Sequence, residues 1–195
     1  MRRVIRRLDR FLSNQLRIFT FCEAEDCLLR LQITESRHEV ELAGTRIEAG
    51  EPILAIHFWN EHLPEVPSGG SDVVWARRMG RLMFKALYYL GEYLSHHPEL
   101  IERKAIYGAT ALFSPYGRSG SVELMHRFGF SVLPYQTSWG WFGEFWENFY
   151  AWWVLWAYSP ASLRHRWFWS MRRSEVWMLT EEFMKRYGKG DRDGR

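Results

Sequence analysis

Apolar and polar positions change their period several times along the chain, and each change marks an element. Val4, Ile5, Leu8, Phe11, Leu12 and Leu16 recur at helical spacing with arginines filling the gaps, which predicts a basic amphipathic helix over residues 1–17. Beyond it the period drops to two. Leu29, Leu31 and Ile33 alternate with Arg30 and Gln32, and Val40 and Leu42 with Glu39 and Glu41, as antiparallel strands with one wet face would. Gly44 and Gly50 punctuate turns around a short Arg46-Ile47-Glu48 segment. Residues 53–59 are apolar on both faces, so they read as a strand inside the sheet.

A stretch rich in Pro, Gly and Ser follows over residues 64–72, and Ser71 or Asp72 is placed to cap a long helix running to about His96. Val74, Met79, Leu82, Met83, Leu87, Leu90 and Leu94 form its inner stripe, and Arg77, Arg78, Arg81 and Lys85 its outer one. Residues 105–113 then make a short apolar run, residues 119–128 a helix and residues 130–133 a strand, a β-α-β unit that needs parallel pairing or a crossover on the sheet. Residues 175–179 read as a last strand and 180–187 as a last helix, ahead of a polar tail over 189–195. The expected fold class is α/β (α+β): one domain over residues 1–188, with a mixed, mostly antiparallel sheet flanked by helices.

Composition adds a chemical setting. The chain has 195 residues, 47% of them apolar and 17% aromatic, which suits a packed domain and excludes a disordered one. A net charge of +3 makes no demand for nucleic acid, and no specific nucleic-acid binding is expected. The arginines are uneven, however: Arg2, Arg3, Arg6, Arg7, Arg10 and Arg17 crowd the first helix. That helix either docks on the domain or lies on a partner or an anionic membrane surface. No continuous apolar h-region accompanies these arginines, so the expected location is cytoplasmic, with a peripheral position at the inner face of the membrane as an option. Cys22 and Cys27 could pair, but two reduced thiols fit that location better.

Aromatic residues concentrate in residues 139–171. Trp139, Trp141, Trp146, Trp152, Trp153 and Trp156 lie in its first half, followed by Arg164, Arg166, Trp167 and Trp169. Glu144, Glu147 and Asn148 interrupt any membrane span, so the segment is read as a helix covering the sheet or as an interfacial surface. Trp152, Trp153, Trp156, Arg164, Arg166 and Trp167 are its candidate surface-binding residues.

Candidate chemistry gathers where the strand over residues 53–59 runs into His57, Asn60, Glu61 and His62. His57 and His62 are five apart, which matches neither the strand step nor the helical step that would aim both imidazoles at one metal, and no metal is expected. No nucleophile elbow or paired-carboxylate motif stands out. His57, Glu61 and Tyr107 are the catalytic candidates. Asn60, His62, Gly69, Gly70, Arg77, Arg78 and Arg81 are the ligand-binding candidates. A strand-end polar network is the preferred reading of the 57–62 block, with Asn60 and Glu61 tying down the loop before the long helix. His96 and His97 are placed to cap that helix's last carbonyls.

The ordered blocks Thr45-Arg-Ile-Glu-Ala-Gly-Glu-Pro-Ile-Leu-Ala-Ile-His-Phe-Trp-Asn-Glu-His-Leu, Ala105-Ile-Tyr-Gly-Ala-Thr, His126-Arg-Phe-Gly-Phe and Glu175-Val-Trp-Met resemble the bacterial YkoP-like domain over roughly residues 4–188. Relatives of that kind stand alone or are attached to polysaccharide deacetylases. The resemblance therefore implies an accessory or binding domain linked to envelope polysaccharide metabolism, with a protein, glycan or membrane-surface partner; it brings no established catalytic residues to carry over, and no cofactor is expected. A more distant likeness joins the strands, the long helix and Glu123-Leu-Met-His-Arg-Phe-Gly-Phe-Ser-Val to the N-acetyltransferase topology. It implies the alternative: an acyltransferase-like enzyme using acetyl-CoA, with residues 68–82 facing the donor and His57, Glu61 or Tyr107 near the acceptor. The nearest match to that fold's pyrophosphate fingerprint, Arg77-Arg-Met-Gly80-Arg-Leu82, has leucine where a small residue is required.

Overall fold

In the computed structural model, residues 7, 11, 13–67, 72–110, 120–136, 149, 152–153 and 173–188 are described. β1 (Leu29–Glu35) and β4 (Pro52–Phe58) pair antiparallel along their full length, from Leu29↔Phe58 to Glu35↔Pro52. Between them β2 (Val40–Leu42) and β3 (Thr45–Ile47) form a small hairpin. Its two turn residues, Ala43 and Gly44, both have positive φ, 49° and 82°, as a two-residue turn matched to the strand twist requires.

The long helix α1 (Val73–Ser95) carries the chain to a short helical turn, α2 (Pro98–Ile101), and back to β5 (Ala105–Thr110), which pairs parallel with β4. Of the two caps offered by the sequence, Ser71 or Asp72, it is Asp72 that accepts from the Trp75 N–H, at 2.7 Å. At the other end His96 and His97 each donate through Nδ1 to the carbonyl four residues back, both at 2.8 Å. Helix α3 (Gly120–Arg127), strand β6 (Ser131–Pro134), strand β7 (Ser174–Leu179) and helix α4 (Thr180–Tyr187) complete the described elements. The sheet order is β1-β4-β5-β7-β6. The expected β-α-β unit from β5 to β6 is thus a crossover that leaves room for β7, and the adjacent parallel pair lies one unit earlier, between β4 and β5.

Side-chain alternation assigns the two faces. Leu29, Leu31, Leu54, Ile56, Ile106, Val176 and Met178 share one core with Met83, Leu87, Leu90 and Leu94 of α1, Met125 of α3 and Phe183 and Tyr187 of α4. Ile53, Ala105 and Trp177 project the other way, onto Val40, Leu42 and Ile47 of the hairpin. The helix face is closed tightly: a Cβ on Gly91 would lie 2.1 Å from the Tyr187 carbonyl, so α1 and α4 meet through that glycine. The hairpin covers only part of the opposite face.

Candidate functional site

On the face away from the helices, the period-two pattern puts Arg30 and Gln32 of β1, His57 of β4, Tyr107 of β5 and Glu175 and Trp177 of β7 side by side. The β4–β5 ladder pairs only Leu54↔Ile106 and Ala55↔Tyr107, although β4 runs on to Phe58 and β5 to Thr110. The paired ladder between these two strands therefore stops short of His57.

His57 Nε2–H donates to Gln32 Oε1 at 2.8 Å. The ring is thereby the neutral tautomer with Nδ1 left as an acceptor. Burial, helped by the nearby guanidinium groups of Arg37 and Arg30, lowers its pKa to about 4. Arg37 also donates to the Tyr135 hydroxyl at 3.4 Å, and the Arg173 guanidinium lies over the Tyr135 ring at 5.3 Å. Burial pushes the Tyr107 phenol well above its ordinary value; Glu175 and Tyr135 push the same way, and Arg37 and Arg173 oppose them. Arg37 thus acts on both His57 and Tyr107.

Glu175 is buried and anchors the far side of this face. Its carboxylate accepts from Trp177 Nε1–H at 2.9 Å and from the Gln136 N–H at 3.3 Å, and His38 Nε2 stands 3.2 Å away. The Trp177 ring meets Tyr107 at 4.6 Å between centroids. The Nε of Arg30 is buried without a hydrogen-bond partner among the described residues, while its guanidinium lies 4.6 Å over Trp59.

The residues singled out from the sequence distribute unevenly. His57 and Tyr107 come together. Glu61 is exposed in the turn beyond, and among the described residues it accepts from the Trp59 indole N–H, at 3.5 Å. Within the described part of the loop before α1, three other groups make the ties. Trp59 N–H donates to the Leu28 carbonyl at 2.7 Å, His62 Nδ1–H to the Cys27 carbonyl at 3.0 Å, and Trp75 Nε1–H to the Pro64 carbonyl at 3.2 Å. His62 also stacks on Trp59 at 3.7 Å. The two histidines spend their ring nitrogens on different partners, and no group of three His, Cys, Asp or Glu side chains among the described residues could hold a metal. Arg77, Arg78 and Arg81 are exposed on α1, behind the opposite face of the sheet.

Gly69, Gly70, Trp156, Arg164, Arg166 and Trp167 lie outside the described residues, as does most of the 139–171 segment; Trp152 and Trp153 are helical and half-buried. The N-terminal helix is described only at Arg7, Phe11 and residues 13–15, which are helical. Both cysteines are free thiols, and burial pushes that of Cys27 up to about 12. No helix among the described residues is long and apolar enough to cross a membrane.

A family model described as the YkoP domain matches residues 1–187. The chain belongs to that family. No curated protein and no solved structure matches it. The matched span of the YkoP domain takes in every described strand and helix, so the polar face is part of the family unit and no appendage to it.

Arg30, Gln32, Arg37, His38, Tyr135, Arg173, Glu175 and Trp177 of the YkoP domain were not singled out from the sequence as site residues. A signal existed for some of them. Arg30 and Gln32 occupy the wet positions of an alternating strand, and Glu175 and Trp177 alternate with Val176 and Met178. Nothing local ties Arg37, in the loop after β1, to Tyr135, ninety-eight residues away.

Proposed function

We propose that this protein is a binding domain for an acidic saccharide, serving envelope polysaccharide metabolism without performing the chemistry itself. The observation that carries the reading is the convergence of guanidinium groups from three separate segments, Arg30, Arg37 and Arg173, around His57, Gln32, Tyr107 and Tyr135 on the sheet face away from the helices. Planar hydrogen-bonding groups beside aromatic rings suit a sugar's hydroxyls and ring faces, and guanidinium groups suit its carboxylate or phosphate. The protonation states favour binding over catalysis. A general acid or base works best with a pKa near the operating pH, whereas His57 sits at about 4 and the Tyr107 phenol is raised above its ordinary range. Titration with an oligomer of uronic acid, against its neutral hexose counterpart, tests the reading. A rise in melting temperature with the acidic oligomer, weakened by salt and lost in Arg37→Ala, is expected. No rise with either oligomer would sink it.

An acyltransferase is the second reading, favoured by the β4–β5 ladder ending short of His57. Against it stands Asp72, whose carboxylate already occupies the first turn of α1, where a donor's pyrophosphate would need the free N–H groups. A stabilisation by acetyl-CoA, without response to saccharide, would reverse the preference.

A further inference from the structure

Behind the sheet, α1 and α3 leave a groove of about 890 Å³ lined by Val73, Val74, Arg77, Gly80, Arg81 and Phe84 of α1 with Leu124 and Phe128 opposite. Its lining is unlike an ordinary solvated helix face. Val73 is 66% exposed, Val74 73% and Phe84 45%, and these apolar groups flank the exposed Arg77, Arg78 and Arg81 along the helix. Gly80 has no side chain to fill the middle, and a Cβ there would only just touch Leu124, at 3.7 Å. Lys85, one turn on, is paired with Asp26. Arg77, Arg78 and Arg81 have no hydrogen bond or ion pair among the described residues. Two carboxylates beside the groove are engaged elsewhere: Asp72 caps the helix, and Glu123, on α3, faces Arg127 at 3.7 Å.

We infer that this face of α1 docks on an anionic phospholipid surface. From Val73 to Phe84 the helix rises about 16 Å. Over that length a complementary surface must offer negative charge and methylene groups within a few ångströms of each other, again and again. The boundary between headgroups and acyl chains has that composition everywhere. The arginines meet the phosphates, Val73 and Val74 enter the acyl boundary, and the trough over Gly80 takes methylene groups between Arg77 and Arg81. The site is separate from the saccharide face, on the opposite side of the sheet.

Co-sedimentation of the whole chain with vesicles of phosphatidylcholine, with and without phosphatidylglycerol, tests the inference. Binding is expected only with the anionic lipid and should fall with salt. Each arginine is worth roughly a fivefold change in partitioning. Arg77→Glu with Arg81→Glu should therefore weaken binding by at least about tenfold. Val73→Asp with Val74→Asp should also release the protein. All four positions are exposed, so unchanged melting curves would show that each variant folds. Three outcomes overturn the inference: no binding to either vesicle, equal binding to both, or binding that ignores both double variants. Self-association that disappears with the same substitutions, without vesicle binding, would assign the groove to a second copy instead.

Discussion

Protonating the His57 imidazole in the folded chain places a positive charge in a half-buried position near Arg30 and Arg37. An unfolded chain titrates this group near 6.5, the folded one at about 4, so between those values the unfolded state binds more protons. Stability is therefore complete above about pH 6.5 and declines as the pH falls toward 4, by about 3 kcal/mol in all. Chemical denaturation across that range should show the decline, and His57→Gln, which keeps a donor for Gln32 but does not titrate, should flatten it. Glu175 makes a second demand at this scale. Its replacement by leucine would leave the Trp177 indole N–H and the Gln136 N–H without their acceptor, at a cost of about 2 to 4 kcal/mol. Glu175→Gln keeps an acceptor and should cost less, which thermal melts of the two variants would separate.

Helices α1, α3 and α4 depend on two glycines for different reasons. Gly129, with φ at +89°, ends α3; its N–H and that of Phe130 satisfy the carbonyls of His126 and Met125. Gly129→Ala should cost about 1 to 2 kcal/mol through the left-handed backbone alone, since the Arg186 group it meets is the end of a flexible side chain. Gly91→Ala meets backbone at Tyr187 and must push α4 off α1, so it should cost more, about 3 kcal/mol. The ranking of the two by urea denaturation checks the argument. These elements were legible because periodicity is local: alternating Leu29, Leu31 and Ile33 announced β1, Asp72 announced its helix, and Gly44 its turn. His57 and Tyr107 were legible as chemistry because they are polar groups in apolar runs. Arg37, Tyr135 and Arg173 were not, since what makes them a site is strand order, which depends on pairings between distant segments that no local pattern records.

At the scale of the whole molecule the two proposals assign different work to the two faces of one sheet. The saccharide and lipid readings invoke opposite sides, so a chain altered at Arg77 and Arg81 should still respond to the acidic oligomer, and one altered at Arg37 should still reach the vesicle. The strand order also has a consequence for how such a chain comes into being. β7, the last of the described strands, lies between β5 and β6 and is followed at once by α4, which supplies Phe183 and Tyr187 to the main core. During synthesis the β1–β4 hairpin can form early, but β5 and β6 must wait with unsatisfied edges until residues 174–187 leave the ribosome. The nascent chain thus passes through a stage with a slot in its sheet the width of one strand, open to any extended segment that reaches it first.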